Sequence, residues 1–491
     1  MTGGRLKTGF YAALALVAGL ALRLWFIARA GRVDGDTLIY GNIAKNWMQH
    51  GIYGFATTAK GLMPTLIRLP GYPLFLAACF RVFGVDRYVA VMYVQGLLDL
   101  FTCLLVAALA RRLFGQRAGL AALWLSALCP FTAAYVAAPL TEILTLFTIA
   151  LTFYGLERWR SAGLGFNRWL WITAITMAYS VLLRPEQGML PAVAVPAMIW
   201  MVWKSPDQHS DQRSEQLFLT RRLWPVALAA ICVLLPLLPW SVRNWRTFHV
   251  IQPLAPRSAT DPGEHIPRGF QHWYRTWAID FASTELVYWN YDSTDLRISD
   301  LPTRAFNSED QYGTTAALLS DYNQKDNATP ALDQRFEALA EQRIQAAPIR
   351  YYVGLPVARL VNMLFRPRTE MMQIGLDWWN WHEYRFQTLL AYGMATVNLG
   401  YFVLGTVGLW LWWRAGWGVH EALAGAMLAF VVLRCTLLLT LDNSEPRYTL
   451  EFFPLLIVWG SFIFRSRLDA VSSKTLCKKI IENRGAFFSP N

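Results

Sequence analysis

Long apolar runs divided by short basic connections fill the first half of this chain and return at its end, with a polar stretch between them. Crossing a bilayer takes roughly 17–25 mostly apolar residues. That length predicts spans at 8–28, 89–110, 118–137, 140–157, 169–184, 187–203, 223–241, 388–412, 418–440 and 448–465. The expected fold is an all-α polytopic membrane protein, a bundle of about ten transmembrane helices with a mostly helical region outside the membrane. The run 72–84 is too short to span and is expected at the interface.

Composition supports this class. Charged residues are 16% of 491 positions and apolar residues 55%, with a mean hydropathy of +0.28; a soluble domain carries about 25% charged residues. Trp (22), Tyr (20) and Phe (28) are abundant, as expected of rings that anchor spans at headgroup level. The net charge of +12 is uneven: 261–343 holds fourteen Asp/Glu and seven Lys/Arg, a balance of −7, which leaves +19 for the rest. Basic residues in short loops mark the cytoplasmic side. An inside N-terminus puts Arg5/Lys7, Arg111/Arg112/Arg117, Arg158/Arg160/Arg168, 204–222, Arg414 and 465–484 on that side, so both termini are expected in the cytoplasm. Only the first outside loop departs, with Arg29, Arg32, Lys45, Lys60 and Arg68. The basic residues punctuate apolar runs and form no continuous patch, which argues against nucleic-acid binding. Cys79, Cys103, Cys129, Cys232, Cys435 and Cys477 fall mostly in spans, so neither a disulfide framework nor a Cys-based metal site is expected. The first apolar run lacks a convincing small-residue cleavage site, so a cleaved signal peptide is not expected.

Four parts follow: a transmembrane module at 1–241 that includes an outside loop at 29–88, an outside region at 242–387, transmembrane helices at 388–465, and a cytoplasmic tail at 466–491. In the first loop Asp34 or Asp36 can cap a helix from Thr37 to about His50, closed by Gly51. Asp36, Tyr40, Ile43 and Trp47 would share one of its faces. The second region is rich in turn signals until Thr329, where Pro330 opens a helix with Leu332, Phe336, Leu339 and Ile344 on one face and Pro348 at its end. The stretch 205–216 reads as a flexible linker.

Charge near membrane depth is expensive and usually faces a cavity or a partner. Asp34, Asp36, Arg68, Glu142, Arg184, Glu186, Arg243, Arg434, Asp442, Glu445 and Arg447 are such residues, most of them at outside ends of spans. Each has a bland alternative: Asp36 as a helix cap, Arg68 as a headgroup anchor, Glu142 as a complement to a helix N-terminus, Arg184-Pro185-Glu186 as a local ion pair, and 442–447 as a salt-bridged turn. Their convergence on one face from five loops points to a site. His265 and His272 have no established ligand spacing, so no metal is expected. The sequon Asn327-Ala-Thr329 is followed by Pro330 and reads as incidental. No phosphate-cradling Gly-rich loop or Ser/His/Asp arrangement is evident, and no cofactor is expected.

An ordered set of motifs remains. Asp36 is followed four residues later by Tyr40; Arg68-Leu-Pro-Gly-Tyr72-Pro73 closes the first loop; Pro139-Leu-Thr-Glu142 opens the fourth span; Leu183-Arg184-Pro185 ends the fifth; Pro239-Trp240-Ser-Val-Arg243-Asn244 closes the seventh; Glu445-Pro-Arg447-Tyr448 precedes the last. This layout resembles the GT-C glycosyltransferases, specifically the protein O-mannosyltransferase-like group that includes the lipid A aminoarabinose transferases and the rhizobial core galacturonosyltransferases. The resemblance implies a GT-C-like bundle in a bacterial inner membrane. It implies an inverting transferase that moves a sugar from a polyprenyl-phosphate donor to a lipid, glycan or protein acceptor on the outer face. It also implies a catalytic carboxylate at Asp36, with Asp34 as the other choice because the family's common Asp-Glu pair is here Asp34-Gly-Asp36-Thr. The donor phosphate would meet Arg68, and arginine forks suit Arg184, Arg243 and Arg447 for the same work. Tyr40, Tyr72, Glu142, Glu445 and Tyr448 are the substrate-binding candidates. Attack of a hydroxyl on an anomeric carbon needs a base, and the phosphate leaving group needs fixed cations. Two other classes fit spans and buried charge: a lipid or oligosaccharide transporter or flippase, usually marked by internal repeats, and an O-antigen ligase or polymerase centred on a late outside loop.

Overall fold

A computed structural model describes residues 2–57, 61–205, 212–291, 293–324, 329–372 and 374–466. Asn327 and Ala328 of the sequon, residues 206–211 of the expected linker and nearly all of the expected tail lie outside the described residues, and 212–216 of that linker are helical instead. Helix α1 (Thr2–Ala30) leads into α2 (Gly35–His50), a two-stranded antiparallel hairpin β1 (Gly54–Thr57) and β2 (Gly61–Pro64), and α3 (Gly71–Phe83). The hairpin was not expected; its strands are four residues each, too short for a periodic signal. Then come α4 (Tyr88–Phe114), α5 (Gln116–Ala127), α6 (Pro130–Ala134), α7 (Glu142–Ser161), α8 (Arg168–Leu183), α9 (Met189–Trp203), α10 (Gln212–Leu234) and α11 (Leu237–Phe248). The lobe between bundle halves contains α12 (Arg268–Arg275), the one-turn α13 (Phe281–Ser283), α14 (Glu309–Gln324), α15 (Pro330–Ala346) and α16 (Leu355–Phe365). Helices α17 (Arg385–Arg414), α18 (Glu421–Leu439) and α19 (Phe453–Ser461) complete the bundle.

The all-α polytopic expectation holds. All ten apolar segments are helical over most of their length, and six helices are long and apolar enough to cross a membrane: Lys7–Ala30, Tyr88–Phe114, Leu223–Phe248, Arg385–Arg414, Gly418–Leu439 and Pro446–Phe464. The predicted span 118–137 is instead a pair, Gln116–Ala127 and Pro130–Ala137, bent by 43° where Pro130 starts a new helix. The segments at 140–157, 169–184 and 187–203 are α7, α8 and α9, of 20, 16 and 15 residues. Helix α7 carries Glu142, Glu157, Arg158 and Arg160, which lower its apolarity, and it packs among α4, α8 and α9.

The lobe forms its own core. Helices α12 and α15 pack together and bury Phe270, Trp273, Trp277 and Phe336. Thr329 caps α15 by accepting from the Leu332 amide. Of its predicted face Leu332, Phe336 and Leu339 are buried and Ile344 is half-buried, while Arg343 turns inward to Thr276 and Gln311. Helix α16 packs on α18, and with the π-helical turn before it (Arg350–Gly354) continues a line of exposed apolar residues at four-residue steps, Ile349, Val353, Val357, Val361 and Phe365, an apolar outer stripe inside a region read as polar.

Candidate functional site

Helix α2 begins at Gly35, whose φ of +44° suits glycine, and ends at Gly51, whose φ of +70° lets its amide reach the Trp47 carbonyl. Asp34 occupies the cap position but makes no side-chain cap bond and is exposed. Asp36 sits in the first turn, and its carboxylate reaches two arginines rather than the helix amides. Arg68 Nη2 donates to Oδ1 at 2.7 Å and Arg447 Nη1 to Oδ2 at 3.0 Å. Capping by either aspartate side chain is therefore ruled out by where those side chains go.

Arg68 is placed by the turn before α3. Gly71 is needed there, because a Cβ would come within 2.5 Å of the Leu182 carbonyl at the end of α8. The Tyr179 hydroxyl donates to the Gly71 carbonyl at 3.0 Å, so the Arg-Leu-Pro-Gly turn is pinned beside Arg184. Tyr72 is fully buried, donates to Gln95 at 2.7 Å and packs edge-on against Tyr40. Tyr40 lies under the Arg68 guanidinium, 5.6 Å away. Tyr72 thus shapes the wall through Tyr40 without reaching the carboxylate itself.

The last span brings the opposite partners. Its first turns unwind to a 3-10 helix, Pro446–Phe452. There Arg447 also binds Glu445 through Nε and lies 4.0 Å from Glu142. The Tyr448 hydroxyl donates to Glu445 Oε1 at 2.9 Å, and the guanidinium groups of Arg184 and Arg447 each lie over the Tyr448 ring, 5.6 Å from its centroid. Arg184 reaches Glu142 at 3.5 Å and Glu186 at 2.7 Å. Below these lies a buried layer of which the sequence singles out only Arg434: its Nη2 meets Glu451 at 2.8 Å, and Gln187 Nε2 donates to the same carboxylate at 2.8 Å. Asp36, Glu142, Glu186, Glu445 and Glu451 thus face Arg68, Arg184, Arg434 and Arg447 in one connected network.

The network is electrically close to balanced but not fully satisfied. Glu142 Oε2, Gln187 Oε1 and Arg434 Nη1 are buried without a hydrogen-bond partner among the described residues, and Glu451 Oε1 has only its ion pairs to Arg434 and Arg184. Buried polar atoms of this kind call for a partner such as water or a polar ligand. A further carboxylate missed in the sequence, Glu370, accepts from the buried Tyr135 hydroxyl at 3.1 Å, and its Oε2 is likewise buried and unpartnered. Burial opposes the Asp36 charge, but Arg447 first and Arg68 next outweigh it and hold its carboxyl well below the ordinary carboxylate range. Burial also pushes the Tyr40 phenol up to about 12, so it stays a hydroxyl donor.

Arg243 is a correction. Its donors go to backbone carbonyls of the hairpin strands' flanks, Thr65 at 2.7 Å and Tyr53 at 2.7 Å, and to Asn244 at 3.0 Å. Tyr53, Trp240 and Phe248 enclose its guanidinium. It braces the first loop against α11 and has no free fork to offer a phosphate. The acidic turn at 442–447 divides: Asp442 pairs with Arg275 at 3.3 Å on the lobe side, while Glu445 joins the site. His265 and His272 face Asp333 and Glu337, at 3.9 Å and 2.8 Å. Among the described residues no group of three or more His, Cys, Asp or Glu is arranged to hold a metal.

Residues 67–240 match the family model described as dolichyl-phosphate-mannose-protein mannosyltransferase. This similarity bears out the family resemblance over that stretch, which includes Arg68, Tyr72, Glu142 and Arg184; Asp36 and 445–448 lie outside it. No curated protein matches the chain. Solved structures to which the chain is similar include the oligosaccharyltransferase AglB of Archaeoglobus fulgidus, in complex with an inhibitory peptide and a dolichol-phosphate, at 13% identity and a TM-score of 0.47, covering 99% of this chain and 53% of that one. Another is ArnT of Cupriavidus metallidurans bound to undecaprenyl phosphate, at 14% identity and a TM-score of 0.33, covering 95% and 78%. The chain spans about half the length of the archaeal enzyme.

Proposed function

We propose that this chain is an inverting membrane glycosyltransferase that moves a sugar from a polyprenyl-phosphate donor to an acceptor hydroxyl on a lipid, glycan or protein. The observation that carries the reading is the clamp on Asp36: a carboxylate at the mouth of the bundle, held between Arg68 and Arg447 from opposite ends of the chain. A base and two phosphate-binding cations are what the reaction needs within one contact distance of each other.

The clamp also gives an order to events. With both arginines on it, Asp36 is a weak base. A donor phosphate that takes the forks of Arg68 and Arg447 competes directly with Asp36 for them, so binding the donor releases the carboxylate to accept the proton of the incoming hydroxyl. The hydroxyl oxygen bonds to the anomeric carbon from the face opposite the phosphate, the carbon–oxygen bond to phosphate breaks, and the leaving charge remains on the two arginines. Arg184, joined to Glu142, supports the same field one layer deeper. Tyr40, Tyr448, Glu142 and Glu445 line the space around the reacting groups. The site would face the outside of a bacterial inner membrane, with both termini inside.

In a deletion strain, mass spectrometry of envelope glycolipids and glycoproteins should show one conjugate that lacks a sugar. Wild-type protein should restore it and Asp36→Asn should not. Accumulation of donor trapped on the inner leaflet would instead indicate a flippase. Reporter fusions after Arg112, Lys204 and Arg414 should report cytoplasm and one at Asn307 the outside; a cytoplasmic signal at Asn307 overturns the topology.

Arg447→Lys keeps the charge but loses the fork, so apparent donor affinity should fall about 10- to 100-fold, as loss of hydrogen bonds to a charged group implies. Arg447→Gln additionally removes the larger of the two cationic influences that depress the Asp36 pKa. The folded pKa then rises, and the acidic limb of kcat/KM, which reports the free enzyme, moves to higher pH. In Arg447→Lys that limb should stay near wild type. Equal limbs in all three proteins would separate Arg447 from Asp36.

A further inference from the structure

Away from the Asp36 network, toward the other end of α7, the bundle is hollow. A cavity of about 420 Å³ lies between α1, α4, α5 and α7. Its walls are Ala12 from α1, Leu104 and Ala108 from α4, and Leu120 from α5, with Tyr154 from α7; Arg111 and Arg112 stand at its end. The volume falls within the roughly 300–1,000 Å³ range of ligand pockets. Along α1 the cavity begins near Thr8, whereas Asp36 follows Ala30; at 1.5 Å per residue the two sites are about 30 Å apart, the thickness of a hydrocarbon core.

The two arginines differ. Arg112 is fixed, donating to Ser161 at 2.7 Å with Glu157 3.7 Å away, and its buried Nε has no hydrogen-bond partner. Glu157 is already shared with Arg160 and His420, so it does not neutralise Arg112 alone. Arg111 is exposed and makes no ion pair or side-chain hydrogen bond among the described residues. Beside the cavity α4 exposes Leu97, Phe101 and the lining residue Leu104 on one face, an apolar flank of the kind that faces acyl chains. A cationic end and an apolar wall that opens toward lipid match one class of molecule in shape and charge.

We infer that this cavity binds an anionic glycerophospholipid of the inner leaflet, its phosphate on Arg111 and Arg112 and the upper part of an acyl chain along Ala12, Ala108 and Leu120. Basic pockets between spans on the cytoplasmic side take such headgroups. The site is independent of the transferase reading, because none of its residues belongs to the Asp36 network. It would tie α1, the helix that leads into the loop before Asp36, to the α4–α5 core through a bound lipid.

The test uses the full chain, purified and delipidated in detergent, with phosphatidylglycerol and phosphatidylcholine titrated separately. Native mass spectrometry reads bound lipid and thermal unfolding reads stabilisation. Wild type should prefer phosphatidylglycerol by about fivefold or more, the scale expected of one arginine near an anionic headgroup. Arg111→Gln, a surface change, should bring the preference close to one without altering the Tm of lipid-free protein. Ala108→Trp should fill the cavity and lower the affinity for both lipids. Absence of a preference in wild type, or a preference that survives Arg111→Gln, overturns the proposal. Tighter binding of polyprenyl phosphate than of phosphatidylglycerol also overturns it, and assigns the cavity to the donor instead.

Discussion

Replacing Asp36 by Asn should lower sugar transfer by about 10²–10⁴-fold, the contribution of a positioned general base, while the protein still inserts and folds. The amide has nearly the size of the carboxylate and cannot take the proton. It also leaves Arg68 and Arg447 without their shared counter-ion. Donor binding should therefore hold or tighten while turnover falls, because the phosphate no longer competes with a carboxylate for the same forks. That split between binding and rate is the specific signature of the clamp. Asp34→Asn is the internal control: Asp34 is exposed and makes no side-chain cap bond, so transfer should stay near wild type. Should the Asp34 variant lose transfer and the Asp36 variant keep it, the base lies two residues upstream. If both transfer normally, the proposed chemistry is wrong.

The parts of this structure that composition and spacing could reach are those set by local physics. Apolar runs gave the helices, because burying or lipid-bathing a 20-residue apolar stretch leaves its backbone only itself to bond with. Asp36, Arg68, Glu142, Arg184, Glu445 and Arg447 were picked out because charge is rare at such depth, and the fold brings all six together. What stayed hidden depends on long-range contacts. Gln187 and Glu451 meet across 264 residues, and no local pattern announces them. Arg243 read as a phosphate ligand because an arginine after Pro239-Trp240 looks the same whether it faces a phosphate or two carbonyls. Arg23 and Asp99 form a buried ion pair at 2.5 Å between α1 and α4, and both lay inside predicted spans. The rule that intramembrane charge seeks a partner applies to both, but nothing in the sequence around either one names the other, 76 residues away. The hairpin at 54–64 has a signal only in Gly54 and Gly61, which open its strands, since four-residue strands carry two periods of alternation at most.

Breaking the Arg434–Glu451 pair should cost the most stability of any single change in the site. Arg434 is 1% exposed and Glu451 3%, and they meet at 2.8 Å. Arg434 also donates to the Tyr448 carbonyl at 3.1 Å and 3.3 Å, which fixes the unwound start of the last span. In Arg434→Met the Glu451 carboxylate keeps only Gln187 at 2.8 Å and Arg184 at 4.0 Å, so a buried charge loses its main partner. Removal of one member of a buried pair costs roughly 3–5 kcal/mol. The variant should show a clearly lower Tm in detergent, or fail to give monodisperse protein. Removing both charges, as Arg434→Met with Glu451→Leu, leaves no orphan ion, and the double variant should be more stable than the sum of the single losses by about 0.5–3 kcal/mol. Recovery of the fold should not restore transfer. Tyr448 would have lost the bonds that hold its carbonyl, and its ring lies beside both Arg184 and Arg447. A stable double variant with normal donor affinity and normal turnover would reduce the buried layer to packing, and would confine the working site to Asp36, Arg68 and Arg447.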